Sequence, residues 1–342
     1  MIVVKGLGLY AHWVDAGRKF AQINGYSQLG ALDTINFNLA NALCGNKLSQ
    51  PAIEVMGGNI TLLFKNKCLI CVTGAQAQVR INNELVPIGE TVLVRPNNTL
   101  TLRNVKCGWI NYIACSCAID LPLFLCSAGG TKRENIGGFH ANGEGMKVGD
   151  EFLATPRMQT SEASINSLLK QSKIALPPVL ASFASLENLK NNSEKNALPI
   201  PVHFTYQSDC FSDLQKLRFS AFTYQVSDKA DRMGVRLIGP KIESSSRTLT
   251  SQAVALGAIQ IAGNGQAIIM RNDRQTIGGY PIIATVSRLG LALLAQCTSG
   301  QHIQFSPQSI AKSSIDFIKM QQALNTISSK VIAANIKDEN ES

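Results

Sequence analysis

Two blocks of closely spaced apolar runs frame this chain, separated by a polar stretch. Across residues 53–117 the runs 60–64, 69–72, 78–81, 91–94 and 100–102 each read as a strand. Lys65-Asn66, Asn82-Asn83 and Pro96-Asn97-Asn98 supply turn chemistry between them. Short strands at that spacing predict a β-barrel or sandwich, not a parallel α/β sheet. One helix is expected over 35–43, with Asp33 as its N-cap and Gly45 as the residue that ends it.

Residues 154–201 change character, with many Ser, Asn and Lys, then Pro177-Pro178 and Pro199-Ile200-Pro201. A short amphipathic helix is expected over 161–174, with Ile165, Leu168 and Leu169 on one face, inside a linker or surface excursion. A second β-rich block follows over 202–305. Ile315, Ile318, Leu324 and Ile327 then recur at helical spacing, predicting a terminal helix over 311–336 with a polar end. The expected organisation is an N-terminal β domain at 1–155, the excursion at 156–201, a C-terminal β domain at 202–310, and a helix and tail at 311–342.

Composition narrows the class. The 342 residues are 45% hydrophobic and 16% charged, as in a soluble globular chain long enough for two cores. No apolar run approaches the roughly 20 residues that span a bilayer, so no membrane role is expected. The first residues lack a basic segment followed by a long apolar one, so no signal peptide is expected and the location is cytoplasmic. Net charge is +9, but the cations are scattered without interleaved aromatics, which argues against nucleic acid.

The nine cysteines show no metal spacing. Cys68 and Cys71 have the spacing of half a redox or zinc site, without a second pair. Alternation puts Cys115 and Cys117 on one strand face, and all are read as core residues. No metal site is predicted.

The most informative stretch is Asp273-Arg274-Gln275-Thr276-Ile277-Gly278-Gly279-Tyr280-Pro281, set between the apolar runs 267–270 and 282–286. A polar, glycine-bearing loop mounted on two buried strands suits ligand binding. Upstream, Ser227-Asp228-Lys229-Ala230-Asp231-Arg232-Met233-Gly234-Val235-Arg236-Leu237-Ile238-Gly239-Pro240 and Gly257-Ala258-Ile259-Gln260 complete a set of three motifs. In this order they resemble the signature of the biotin-dependent carboxyltransferase family, which includes allophanate hydrolase subunit 2 and the C-type subunit of bacterial 5-oxoprolinase. Asp15-Ala16-Gly17-Arg18, Gly30-Ala31-Leu32-Asp33, Leu39-Ala40-Asn41-Ala42-Leu43-Cys44-Gly45-Asn46, Glu54-Val55-Met56-Gly57-Gly58 and Thr73-Gly74-Ala75 resemble its N-terminal motifs.

The chain departs from that pattern in its first half. Leu29 stands where the family carries Ser, and Ile23 follows Gln22 where it carries His. Ser116-Cys117-Ala118-Ile119 replaces an Ala-Gly-Gly-Ile stretch. Cys126-Ser127-Ala128-Gly129-Gly130 replaces a turn with an arginine and hydroxyls, and Phe204-Thr205-Tyr206-Gln207 replaces a Pro-Gly-Pro-Gln turn. Such exchanges remove hydrogen-bond donors.

The resemblance implies a mainly β fold of two cyclophilin-like β-barrel domains with few helices. It implies a hydrolase subunit, inactive alone, that opens 5-oxoproline to glutamate with ATP in a hetero-oligomer. The implied partners are a kinase-inhibitor-like subunit and a lactam-utilisation-type subunit. The alternatives are a carboxyltransferase subunit of allophanate hydrolase type, acting on a urea-like amide, and a non-catalytic regulatory subunit. ATP would bind through the assembled complex, because no Walker-type loop occurs here. Biotin would arrive on another chain, since Met146-Lys147-Val148 reads as ordinary strand.

The expected catalytic residues are Asp273, Arg274 and Asp231. Guanidinium binds carboxylate or phosphate bidentately, which makes Arg274 and Arg232 candidate clamps. Asp273 or Asp231 would orient them or act as a base. Gln275, Thr276, Gly278, Gly279, Tyr280 and Gln260 would meet an amide or ureido group.

Overall fold

The structure, a computed structural model, describes residues 1–156, 169, 175–184, 186–245 and 249–340. It is mainly β and forms two compact units interleaved along the chain. The first comprises Met1–Gly17, Leu29–Leu186 and Lys319–Ser342; the second comprises Arg18–Gln28 and Glu187–Ile318. The sequence predicts contiguous blocks, but an N-terminal segment belongs with the second unit and the end of the terminal helix with the first.

In the first unit a curled antiparallel sheet of nine strands runs Glu151–Phe152, Ile2–Leu7, Ile60–Phe64, Thr99–Cys115, Ala52–Met56, Tyr10–Val14; Cys68–Ile81 adds to Thr99–Cys115 and itself pairs with Glu84–Val86 and Thr91–Val94. The separate strands expected at 69–72 and 78–81 are one strand, Cys68–Ile81, and 100–102 is part of Thr99–Cys115. Register shifts between Gly74 and Gln78 let this long pair bend without ending, so the polar residues there do not mark a turn. Val4, Trp13, Phe64, Ile113 and Phe152 fill the core, with Trp13 edge-on to Phe152 at 5.2 Å. The helix Thr34–Leu43 is capped by Asp33, which accepts from Ile35 N and Asn36 N. Gly45, at φ 70°, ends it as expected.

The second unit is a closed seven-stranded barrel in the order Leu198–Phe204, Ile282–Val286, Ala258–Ile261, Ala267–Met270, Gly234–Ile238, Thr223–Val226, His302–Pro307. Closure is parallel, with Leu198 opposite Ile303 and Val202 opposite Pro307. Pro199-Ile200-Pro201, expected in a surface excursion, is thus part of a barrel strand. Leu198, Ile200 and Val202 are buried and the prolines alternate with them. Phe219, on the helix Asp213–Ala221, stacks on Phe305 at 4.3 Å.

Two local expectations change. Lys147 lies in a loop, not a strand, and its ammonium pairs with Glu144 at 2.6 Å. In the terminal helix, Ile310–Asn340, Met320, Leu324, Ile327 and Val331 are buried, while Ile315 and Ile318 are exposed. The helix expected at 161–174 lies outside the described residues except for Leu169. Among the described residues, no helix is long and apolar enough to cross a membrane.

Candidate functional site

The polar loop of the second unit is not an open turn. Ile277–Gly278 forms a short ladder with Gln252–Ala253, Val254 N donates to Thr276 O at 2.9 Å, and Leu249 N donates to Gly279 O at 2.7 Å. Neither Gly278 nor Gly279 has a left-handed φ; what a side chain would meet is close neighbours, movable side-chain amides at Gly278 and fixed backbone at Gly279. A Cβ on Gly278 would lie 2.9 Å from Gln260 Nε2 and 3.0 Å from Gln275 Nε2, and one on Gly279 would lie 2.8 Å from Leu249 O.

Two of the three motifs interlock. Arg232 grips Asp273 with two hydrogen bonds, Nε to Oδ2 at 3.0 Å and Nη2 to Oδ1 at 2.9 Å. The backbones join there as well, with Asp273 N donating to Arg232 O and Arg271 N to Met233 O, both at 2.9 Å. Asp231 is not Arg232's partner. Its Oδ1 accepts from Met233 N at 2.8 Å and Gly234 N at 3.0 Å, closing its own exposed turn.

Arg274 is 1% exposed. Its Nε donates to Val254 O at 2.8 Å and its Nη1 to Arg271 O at 3.3 Å, so these bonds tie the loop to the neighbouring backbone. Its charge is met by carbonyl dipoles, and by no carboxylate among the described residues. Burial lowers its pKa to about 10. Ser27 Oγ donates to Asp273 O at 3.2 Å and Arg274 O at 3.0 Å, and Gln22 Nε2 reaches Val254 O at 3.1 Å. The segment Arg18–Gln28 thereby braces the loop from far away in sequence. Ser27 carries no motif signal.

A cleft of about 370 Å³ opens in this unit, lined by Thr205, Tyr206, Gln207, Ala258, Ile282 and Thr285 among others. Gln207 is buried; its Oε1 accepts from Ile282 N at 2.7 Å and its Nε2 donates to Tyr206 OH at 3.2 Å. Tyr206 OH in turn donates to Gln252 Oε1 at 2.6 Å. This relay sits in Phe204-Thr205-Tyr206-Gln207, which the sequence marks only as a departure. Gln260 is 2% exposed and its Nε2 has no hydrogen-bond partner among the described residues. It stands two residues along the strand from Ala258 and opposite Ile282, both cleft residues. The structure thus brings Gln260, Gln275 and Gly278 together, and separately Arg232, Asp273 and Arg274. Thr276 is half-buried and Tyr280 is 39% exposed.

The acidic motif residues of the first unit serve as ties. Asp15 accepts from Gly17 N, Ser127 Oγ and Ala128 N at 2.7–2.8 Å. Glu54, fully buried, accepts from Tyr112 OH at 2.7 Å and Leu32 N at 3.0 Å, and His12 Nε2 lies 3.1 Å away. Of the departures, Ile23 is 82% exposed and Leu29 is buried at φ 57°.

The donors present decide which cofactors fit. A helix N-terminus is a ready phosphate cradle. Asp33, Ser212 and Ser287 already occupy first-turn amides of Thr34–Leu43, Asp213–Ala221 and Arg288–Ala295. These helix ends do not fit ATP. Among the described residues no cluster of three or more His, Cys, Asp or Glu has metal-binding geometry. Cys68 and Cys71, three apart on one strand, point to opposite faces. For a cyclic amide, whether a lactam or the ureido ring of biotin, the primary amides of Gln260, Gln275 and Gln207 are fitting partners.

Comparison with known proteins agrees with these motifs. The chain is 30% identical over 308 residues to the C-type subunit of 5-oxoprolinase from Escherichia coli (strain K12), covering 89% of this chain and 90% of that protein. It is 26% identical over 295 residues to urea amidolyase of Saccharomyces cerevisiae, covering 83% of this chain but 15% of that enzyme. The crystal structure of Kluyveromyces lactis urea carboxylase superposes with a TM-score of 0.82 at 24% identity, over 95% of this chain and 29% of that one, a likeness in fold. Residues 24–307 match the model of the carboxyltransferase domain, subdomain A and B. The chain therefore belongs to the carboxyltransferase domain family.

Proposed function

We propose that this chain is the C-type subunit of an ATP-dependent 5-oxoprolinase, acting in a hetero-oligomer that opens 5-oxoproline to glutamate. One observation carries the reading: the match to the C-type 5-oxoprolinase subunit runs through 90% of that protein's length, whereas urea amidolyase matches over 15% of its own. The partners proposed are a kinase-inhibitor-like subunit and a lactam-utilisation-type subunit.

Amide resonance shields a lactam carbonyl, and ATP, bound by the partner subunits, supplies the activation that water alone cannot. This chain holds and orients the ring. Gln260 Nε2, buried and without a partner among the described residues, is a donor for the ring carbonyl, and Gln275 and Gln207 are partners for the remaining amide edge. Tyr206 closes the polar side of the cleft through Gln252. Asp273, Arg232 and Arg274 fix the loop that presents Gln275, Thr276 and Tyr280, and the buried Arg274 charge favours an anionic group nearby. Asp231 sets the turn on which Arg232 is mounted.

The test is to co-express the chain with both partners and follow glutamate release from 5-oxoproline and ATP. Turnover that disappears when this subunit is omitted supports the reading, and a stable three-subunit complex without turnover overturns it. The match to urea amidolyase favours a second reading, carboxyl transfer between biotin on another chain and a urea-like amide. Saturable binding of free biotin, without glutamate release, would select it.

A further inference from the structure

The first unit buries Cys44, Cys68, Cys71, Cys115 and Cys117, none of them in a disulfide. Two of them face each other. The ladder between Cys68–Ile81 and Thr99–Cys115 sets Cys71 opposite Ala114 and Ile70 opposite Cys115. Continued outward, it puts Leu69 opposite Ser116, whose N–H donates to Leu69 O at 2.9 Å, and then Cys68 opposite Cys117. Ser116 N donates to Leu69 O while Leu69 N donates to Ser116 Oγ at 3.0 Å, which ties the two strands just past the end of the ladder. In that alternation the next pair is the non-hydrogen-bonded kind, with Cα atoms about 4.5 Å apart. A disulfide needs Cα atoms about 4.4 to 6.8 Å apart. The two side chains share one core face, and Cys117 is the neighbour that most raises the Cys68 pKa.

We propose that Cys68 and Cys117 form a redox modification site, in which a peroxide converts the two thiols into a cross-strand disulfide. The neighbouring thiols are poorer partners. Cys115 is diagonal to Cys68, a relation that sets Cα atoms about 7–8 Å apart. Cys71 faces the other side of the strand, towards Thr91 and Cys44.

Cys68, 7% exposed against 1% for Cys117, reacts first. Its sulfur attacks one peroxide oxygen, the O–O bond breaks, and the departing hydroxide takes the thiol proton, leaving a sulfenic acid and water. Cys117 sulfur then attacks the Cys68 sulfur. The S–O bond breaks, and hydroxide leaves with the second thiol proton as another water. Cys117 and burial raise the Cys68 pKa, so thiolate is scarce and the first step is slow. A reducing compartment keeps the dithiol form.

The experiment uses the full chain in a Cys126→Ser background, which removes the exposed thiol. After exposure to hydrogen peroxide, peptides are mapped without reduction by mass spectrometry. A Cys68–Cys117 link, two hydrogens lighter than the reduced pair and reversed by dithiothreitol, is the expected main product. Links from either residue to Cys115, or both residues left unlinked while oxidation proceeds elsewhere, overturn the proposal. A folded Cys117→Ser chain should instead trap dimedone on Cys68. If that chain does not fold, the mapping in the Cys126→Ser chain decides alone.

Discussion

Arg232 and Asp273, 41 residues apart in sequence, meet through two parallel hydrogen bonds at 3.0 and 2.9 Å with both side chains buried. A pair held this way joins two sequence motifs into one object. Removing one member leaves the other charge buried and uncompensated, which in proteins costs about 3–5 kcal/mol. Asp273→Asn is therefore expected to lower the free energy of unfolding, read from urea denaturation, by an amount in that range. A loss under about 1 kcal/mol would mean that the pair contributes little to holding the loop.

Space around Gly279 gives a second expectation. Gly279→Ala sets a methyl 2.8 Å from Leu249 O, so the hydrogen-bonded partner backbone has to move. Overpacking of this kind costs about 1–3 kcal/mol. Gly263→Ala is the matched control, because nothing lies within 4 Å of its Cβ position and its φ is not left-handed. Thermal unfolding of the two variants should separate them clearly.

Gln260 and Gln207 are both buried amides, but among the described residues Gln207 has both ends of its amide hydrogen-bonded and Gln260 does not. Gln260→Met removes the Nε2 that lacks a partner among them and should leave stability within about 1.5 kcal/mol, the tolerance for similar-volume swaps. Gln207→Met strands the Ile282 amide, at a cost of about 1–3 kcal/mol. On the proposed function, Gln260→Met should nonetheless raise the KM of the assembled complex for 5-oxoproline. An unchanged KM removes Gln260 from the substrate contacts.

Alkaline pH should destabilise the first unit. Burial raises the Cys71 pKa from 9.0 to about 12, and burial beside Glu54 pushes the Tyr112 phenol up as well. Between pH 9 and 12 the unfolded chain has lost the Cys71 proton and the folded chain retains it. The stabilisation is thus complete below pH 9 and is lost as pH climbs to 12, at up to about 1.4 kcal/mol per pH unit for one proton. In reductant, Cys71→Ala should flatten the fall of melting temperature between pH 9 and 10.5. An unaltered slope would assign that fall to other groups.

Local rules carry much of the fold. Asp33 and Gly45 bracket their helix because caps act through adjacent backbone, and the runs before and after the polar loop are strands because both are apolar throughout. Long-range pairing is less visible. Gln78 and its neighbours read as a new strand, yet register shifts carry Cys68–Ile81 straight through. Pro199 and Pro201 suggest a loop, although a strand admits prolines where alternate residues fill the core. At the site, the motifs identify Arg232, Asp273 and Arg274 as a group. Only the folded chain reveals that Arg232, not Asp231, serves Asp273, and that Ser27 and Gln22 brace the loop. No spacing rule links residue 27 to residue 273.

The parallel pairing of Leu198–Phe204 with His302–Pro307 has a consequence for biosynthesis. The first strand of the barrel leaves the ribosome long before its neighbour exists, and its edge stays open until the chain has passed Pro307. Nascent chains stalled before that point expose two unpaired edges, the condition under which strands recruit foreign partners. Chaperone demand should therefore peak late in translation and subside once the seventh strand emerges.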